Sequence, residues 1–182
     1  MKKLIAVIII GFGFTNLFSQ NKMGINQIYI GYGIGNTASQ LIKYVDENVN
    51  GSFGQIMIGY KRQFGESKFS GGLHGSYCSA YSDYSSNEYI DVKFFHFYSK
   101  FDYHWILDEK IDLYSGLGIG VSYVTLHDYS STEFNAPYKD NVAGIHFNII
   151  GIRTVINDNF SSFVELGYRN LGYLNAGLCY NL

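Results

Sequence analysis

The amino-acid sequence predicts an all-β fold, eight antiparallel strands closed up-and-down into a transmembrane β-barrel. Three observations carry this prediction. The first is composition: 182 residues include 21 Gly, 17 Tyr and 14 Phe against a single Pro, and proline is excluded where every backbone N–H must serve a ladder. The second is periodicity. In YSGLGIGVSY (114–123), Gly116, Gly118, Gly120 and Ser122 share one parity, and Leu117, Ile119, Val121 and Tyr123 share the other. A period of two marks a strand with unlike faces. The third is spacing, because alternating segments of about ten residues, the length a tilted strand needs to cross a bilayer, are separated by turn-rich patches.

The segments follow in order. Residues 26–35 (NQIYIGYGIG) and 52–63 (SFGQIMIGYKRQ) open the series. The third, 68–82, sets Phe69, Leu73, Tyr77 and Tyr81 against Ser70, His74, Ser76 and Ser82. The fourth, 88–106, sets Phe95, Phe97, Phe101, Tyr103 and Trp105 against His96, Lys100, Asp102 and His104. The fifth is 111–126 and the sixth 141–156. In the sixth, Ile145, Phe147 and Ile149 point outward but Ile150 and Ile152 fall on the wrong parity, which predicts a bulge at or near Gly151. The seventh is 160–169. The eighth, 172–182, alternates Leu174, Ala176, Leu178, Tyr180 and Leu182 with Asn175 and Gly177.

Connection lengths alternate as well. FGES (64–67, with Gly65 suited to a primed turn), LDEK (107–110) and NDN (157–159) are tight, whereas 36–51, 83–87 and 127–140 are longer and polar. Short turns on one rim and longer loops on the other is the layout of outer-membrane barrels. Pro137 falls in one of those loops. In the first long loop, SQLIKYVDENV carries Leu41, Tyr44, Val45 and Val49 at helical spacing, which predicts a short amphipathic helix at the outer surface. The third long loop, HDYSSTEFNAPYKD, carries Tyr129, Phe134 and Tyr138, a composition suited to contact with sugars or proteins.

Parity decides the solvent. A soluble sheet surface is rich in Lys, Glu and Thr, not Gly; a narrow eight-stranded lumen leaves just enough room for side chains, and glycine makes that room. Tyr60, Tyr81, Trp105 and Tyr168 near segment ends fit the aromatic girdles of the two membrane interfaces. A secreted soluble β-sandwich or lipocalin-like lipid-binding barrel shares the strand count and is the alternative.

The opening MKKLIAVIIIGFGFTNLFSQ has Lys2 and Lys3, an apolar run from Leu4 to Phe14, and a polar break. This reads as a signal peptide over 1–19, leaving a barrel domain over 20–182. The run falls short of the roughly 20 apolar residues of a membrane helix, and no Cys lies near the break to mark a lipoprotein. Of 13 Lys and Arg, loss of Lys2 and Lys3 leaves 11 against 15 Asp and Glu, a formal charge of −4. No basic patch for nucleic acid is visible.

From Gln27 to Leu182 the pattern resembles the small eight-stranded outer-membrane barrels of the OmpA and OmpX-like superfamily. Its most specific piece is the final YLNAGLCYNL. That family usually ends in an aromatic read by the barrel assembly machinery; here Leu182 is last and Tyr180 stands two before it. The resemblance implies an outer-membrane protein among lipid and lipopolysaccharide, monomeric, with a structural or surface-adhesive role, no cofactor and no enzymatic activity.

Candidate chemistry is sparse. A hairpin joining the third and fourth segments symmetrically about Ser85 would oppose His74 and His96, both of lumen parity, close enough to share a metal or a proton. Zinc usually takes four ligands and no third is identifiable, so a hydrogen-bonded lumen filling is the competing reading. HGS (74–76) resembles the His-x-Ser arrangement of barrel enzymes that deacylate lipid A, with Glu165 as the available acid; His74, Ser76 and Glu165 are thus the candidates of a catalytic alternative. Past the bulge, Arg153 turns inward and would oppose Glu165, while Lys68 would pair with Asp102. Together these form a polar network closing the lumen. Cys78 and Cys179 fall near opposite rims, too far apart for a disulfide.

Overall fold

The computed structural model describes residues 26–35, 37–45, 50–64, 67–85, 88–129, 137–168 and 173–182; the leader expected over 1–19 lies outside them. The strands are β1 Asn26–Ile34, β2 Gly51–Gln63, β3 Phe69–Ser85, β4 Glu88–Leu107, β5 Ile111–Asp128, β6 Tyr138–Val155, β7 Phe160–Tyr168 and β8 Leu174–Asn181. All lie within three residues of the expected segments. Each pairs antiparallel with its sequence neighbours, and β8 returns to β1 from Gln27↔Asn181 to Ile34↔Leu174, closing the barrel.

The side-chain period sets the two faces. Leu117, Ile119, Val121 and Tyr123 point outward, and Ile119 is 56% exposed, while Gly118 and Ser122 on the other parity are buried. The same holds around the wall, with Ile30, Ile58, Phe97 and Leu178 exposed. Tyr60 and Trp105 stand outward toward the tight-turn rim, Tyr81 and Tyr168 toward the loop rim.

Two of the ladder irregularities re-aim side chains of the later strands. The β4–β5 ladder slips between His104 and Ile106, leaving Trp105 and Ile106 both exposed. The β6 ladders slip opposite Tyr114/Gly116 and between Asn148 and Ile150, so Ile149 and Ile150 both face outward. This is the bulge expected near Gly151, and beyond it Arg153 is buried in the lumen.

The first long loop does hold a helix, α1 Thr37–Val45, entered through Gly35 at φ 74°, a conformation glycine adopts without steric cost. Its place differs from expectation. Instead of lying on the outer surface, α1 sits in the barrel mouth: Ala38 and Ile42 are buried against Cys78, Ala80, Ile90, Val92, Phe94 and Val124, with Leu41 at the margin. The reason is that the inward parity of β3, β4 and β5 turns apolar near the loop rim and needs an apolar cover. The side chains of Tyr44 and Val45, and Val49 altogether, lie outside the described set.

This seating is testable. Ile42→Asp is expected to unseat α1, because a full isoleucine contact of about 2–3 kcal/mol is replaced by a buried charge. Cys78, wholly buried beneath the helix, should then react with maleimide within minutes in the folded barrel while remaining unlabelled in the parent. Cys179, buried at the other end in a cluster with Tyr29, Met57 and Phe163, is the internal control. Equal labelling of Cys78 in both proteins would refute the plug.

Candidate functional site

The lumen concentrates the charge that the outer wall lacks. Lys61, Lys100 and Arg153 are buried there with Asp102, Asp112 and Glu165, three cations against three carboxylates. On β2 and β4, Lys61 and Lys100 flank Gly72 of β3. That residue has no side chain to separate them, so both reach Asp102, at 2.9 and 4.0 Å. Lys100 Nζ also donates to Glu165 Oε1 at 2.5 Å, and the Tyr114 hydroxyl donates to the same oxygen at 2.9 Å. Lys61 lies 4.2 Å over the Tyr114 ring.

Nearer the tight-turn rim, Asp112 accepts from Arg153, its direct partner across β5–β6, and lies 2.5 Å from His104 Nδ1. His104 Nε2 is held by Ser70 at 2.8 Å. The residual cavity among Tyr29, Lys61, Lys100, Tyr114, Arg153 and Glu165 is about 10 Å³, no more than one water could occupy.

Several expected partners are exchanged. Lys68 is exposed on the rim before β3 and does not reach Asp102, whose cations are Lys61 and Lys100. Arg153 faces Phe163 across β6–β7 and Glu165 faces Gly151, because that ladder is centred one residue earlier than the expected Asn159. Arg153 therefore takes Asp112, and Glu165 takes Lys100. Likewise the β3–β4 ladder is centred one residue after Ser85, which moves every partner by two: His74 faces Tyr98, and Ser76 faces His96. Parity survives such a shift but pairing does not.

Each candidate histidine is engaged elsewhere. His74 Nδ1 meets the Tyr29 hydroxyl at 2.8 Å, while His96 Nδ1 meets Ser122 Oγ at 2.7 Å and its Nε2 lies 3.7 Å from Cys78 Sγ. Ser76 Oγ accepts from Gln55 at 2.5 Å. His74, Ser76 and Glu165 share the lumen, yet none bonds to another. Among the described residues no group of three His, Cys, Asp or Glu is placed to hold a metal. Sequence reasoning missed Lys61, Asp112 and Tyr114, although each has the inward parity that marks it.

At the loop rim the wall is uneven. β4, β5 and β6 span 20, 18 and 18 residues, whereas β1, β7 and β8 span 9, 9 and 8. β7 meets β6 only from Phe147↔Tyr168 inward, so Tyr138 to His146 pair with β5 alone among the described residues. On this extension Tyr89 stacks on Tyr129 at 4.1 Å and His127 on Tyr129 at 5.9 Å. Tyr138 is exposed, its hydroxyl donating to Asp140 at 3.0 Å. Phe134 lies outside the described residues.

No protein-family model matches this chain, and no curated protein matches it. Among solved structures, two crystal structures of Ail, the attachment invasion locus protein of Yersinia pestis, are similar to it. Each is 16% identical and covers 88% of this chain and 95% of Ail. The TM-scores are 0.45 for Ail in complex with the heparin analogue sucrose octasulfate and 0.42 for Ail alone. The architecture here is the small eight-stranded barrel. It stands on the closed ladder of the chain itself, in which β8 returns to pair with β1.

Proposed function

We propose that this chain is an integral outer-membrane β-barrel with a side-chain-filled lumen and a structural or surface-adhesive role. The observation that carries the reading is the inverted distribution of polarity: large apolar side chains crowd the outer wall, and six charges are buried inside. In water such a wall would be an aggregation surface, whereas in a bilayer it meets hydrocarbon and the ladder closed from β1 to β8 presents no open sheet edge along their shared length. Residues 1–19 act as the export signal, and the barrel assembly machinery inserts the mature chain as a monomer among phospholipid and lipopolysaccharide.

The protein should fractionate with outer membranes and run faster on gels when unboiled than when boiled. Reconstituted in planar bilayers, it should give no stepwise conductance, because the lattice around Lys100 fills the lumen. A soluble band indifferent to heating would instead favour the secreted lipid-binding barrel.

The adhesive part of the reading rests on the loop-rim extension, where stacked Tyr89, Tyr129 and His127 offer flat faces for sugar rings or protein side chains. Cells displaying Tyr89→Ser with Tyr129→Ser should lose attachment to extracellular glycans or proteins that the parent binds. A deacylase role is disfavoured because His74, Ser76 and Glu165 each serve other partners, so lipid A mass spectra should be the same with and without the protein.

A further inference from the structure

The outer wall is not uniformly convex. A groove of about 630 Å³ crosses it from Phe69 and Tyr103 on β3 and β4 to Phe147 and Tyr168 on β6 and β7, with Ser115 and Gly116 of β5 as its floor. Large side chains build the walls. The floor is low because its outward residue, Ser115, is short; Gly116 beside it belongs to the lumen parity, and the position its Cβ would take lies 2.0 Å from Asp102 Oδ1. Ser115 presents no free polar group: its hydroxyl donates to the Ile149 carbonyl at 2.6 Å and accepts from Trp105 Nε1 at 2.9 Å. The walls of the groove are apolar, and its floor lies over Asp102, which lines it together with Asn148.

Direction and charge identify the occupant. Phe69 is the first residue of β3, at the tight-turn rim, and Tyr168 is the last of β7. The groove thus runs across four strand spacings, about 19 Å around the wall, starting at the tight-turn rim. At its lower end stands Lys68, exposed on the rim, its carbonyl accepting from His104 N at 2.8 Å. The same rim also carries exposed Arg62 and Lys110 and the acidic pair Asp108 and Glu109; of these only Lys68 adjoins a wall residue in sequence.

We propose that this groove is a phospholipid site of the leaflet on the tight-turn side: one acyl chain lies over Ser115 and Gly116, and the anionic headgroup is held by Lys68. The assignment rests on the membrane reading above. It sets an anionic group beside the exposed Lys68 and covers the floor over Asp102 with hydrocarbon.

Trp105 is the only tryptophan of the chain and is bonded to the groove floor, so its fluorescence reports occupancy. The full-length protein would be reconstituted in phosphatidylcholine vesicles containing an equal small fraction of brominated-chain phosphatidylglycerol or of brominated-chain phosphatidylcholine. Phosphatidylglycerol is expected to be preferred about five-fold at Trp105, the contribution of one lysine near an anionic headgroup. Lys68→Gln should remove that preference, and Ser115→Leu, which fills the floor, should remove it independently, both with unchanged heat-modifiable mobility. Equal quenching by the two lipids in the parent would overturn the site, as would a preference that survives both substitutions. Absence of quenching by either lipid would overturn the membrane reading instead, since Trp105 would then lie outside hydrocarbon.

Discussion

Asp112→Ala is expected to destabilise the barrel by about 3–5 kcal/mol, the usual result of removing one member of a buried ion pair. The carboxylate serves two partners, Arg153 and His104. Arg153 donates to it through Nη2, and its Nε and Nη1 have no hydrogen-bond partner among the described residues. His104 Nδ1, at 2.5 Å, loses its acceptor at the same time. The other carboxylates are less exposed to this effect: without Glu165, Lys100 keeps Asp102 at 4.0 Å, so Glu165→Ala should cost distinctly less. Asp112→Leu combined with Arg153→Met should recover most of the loss, because two apolar side chains of similar volume need no counter-charge. Urea midpoints of the refolded variants, read from Trp105 emission and from the unboiled gel band, decide it. A loss below about 1 kcal/mol for Asp112→Ala, the range of a solvated pair, would mean that water reaches Arg153.

The parity of the sequence determines the lumen's membership, and register determines its pairing. Every strand could be read from alternation, and so could the inward direction of Lys100, Asp102, His104 and, past the bulge, Arg153. The bonds among them could not. Lys61 reaches Asp102 across the whole of β3, a contact made through the missing side chain of Gly72 and invisible to any rule about opposed residues. Arg153 finds Asp112 on the strand before it because the bulge at Ile149 and Ile150 resets the β5–β6 count. A shift of one residue in a hairpin centre left every side chain on its face and exchanged every partner, which is how both His74–His96 and Arg153–Glu165 were displaced. The helix of the first loop was legible as a helix from its spacing. Its seat was not, since that depends on an apolar patch assembled from three strands at the loop rim.

The three glycines of YSGLGIGVSY share one parity but not one tolerance, and this yields the sharpest contrast expected in the wall. A Cβ on Gly120 would stand 1.9 Å from the Phe97 carbonyl oxygen and 2.7 Å from Tyr98 Cα, both backbone atoms of β4. On Gly118 the nearest atom is His146 Cβ at 3.3 Å, a side-chain atom on β6. Gly120→Ala must therefore push β5 away from β4 where the ladder pairs Tyr98 with Gly120, and must disturb the fully buried Tyr98, whose hydroxyl lies 2.8 Å from Ser122. About 3 kcal/mol of destabilisation is expected, the upper part of the overpacking range, or failure to form the heat-modifiable band at all. Gly118→Ala asks only a few tenths of an ångström of His146. It also restricts the unfolded chain, a gain of about 0.4–1 kcal/mol that offsets the crowding, so its midpoint should stay within about 1 kcal/mol of the parent. Equal behaviour of the two variants would show that β4 and β5 do not approach as closely as Gly120 requires. The expected difference would show that the small face of this strand fills two distinct roles, space for a lumen side chain at Gly118 and contact between backbones at Gly120.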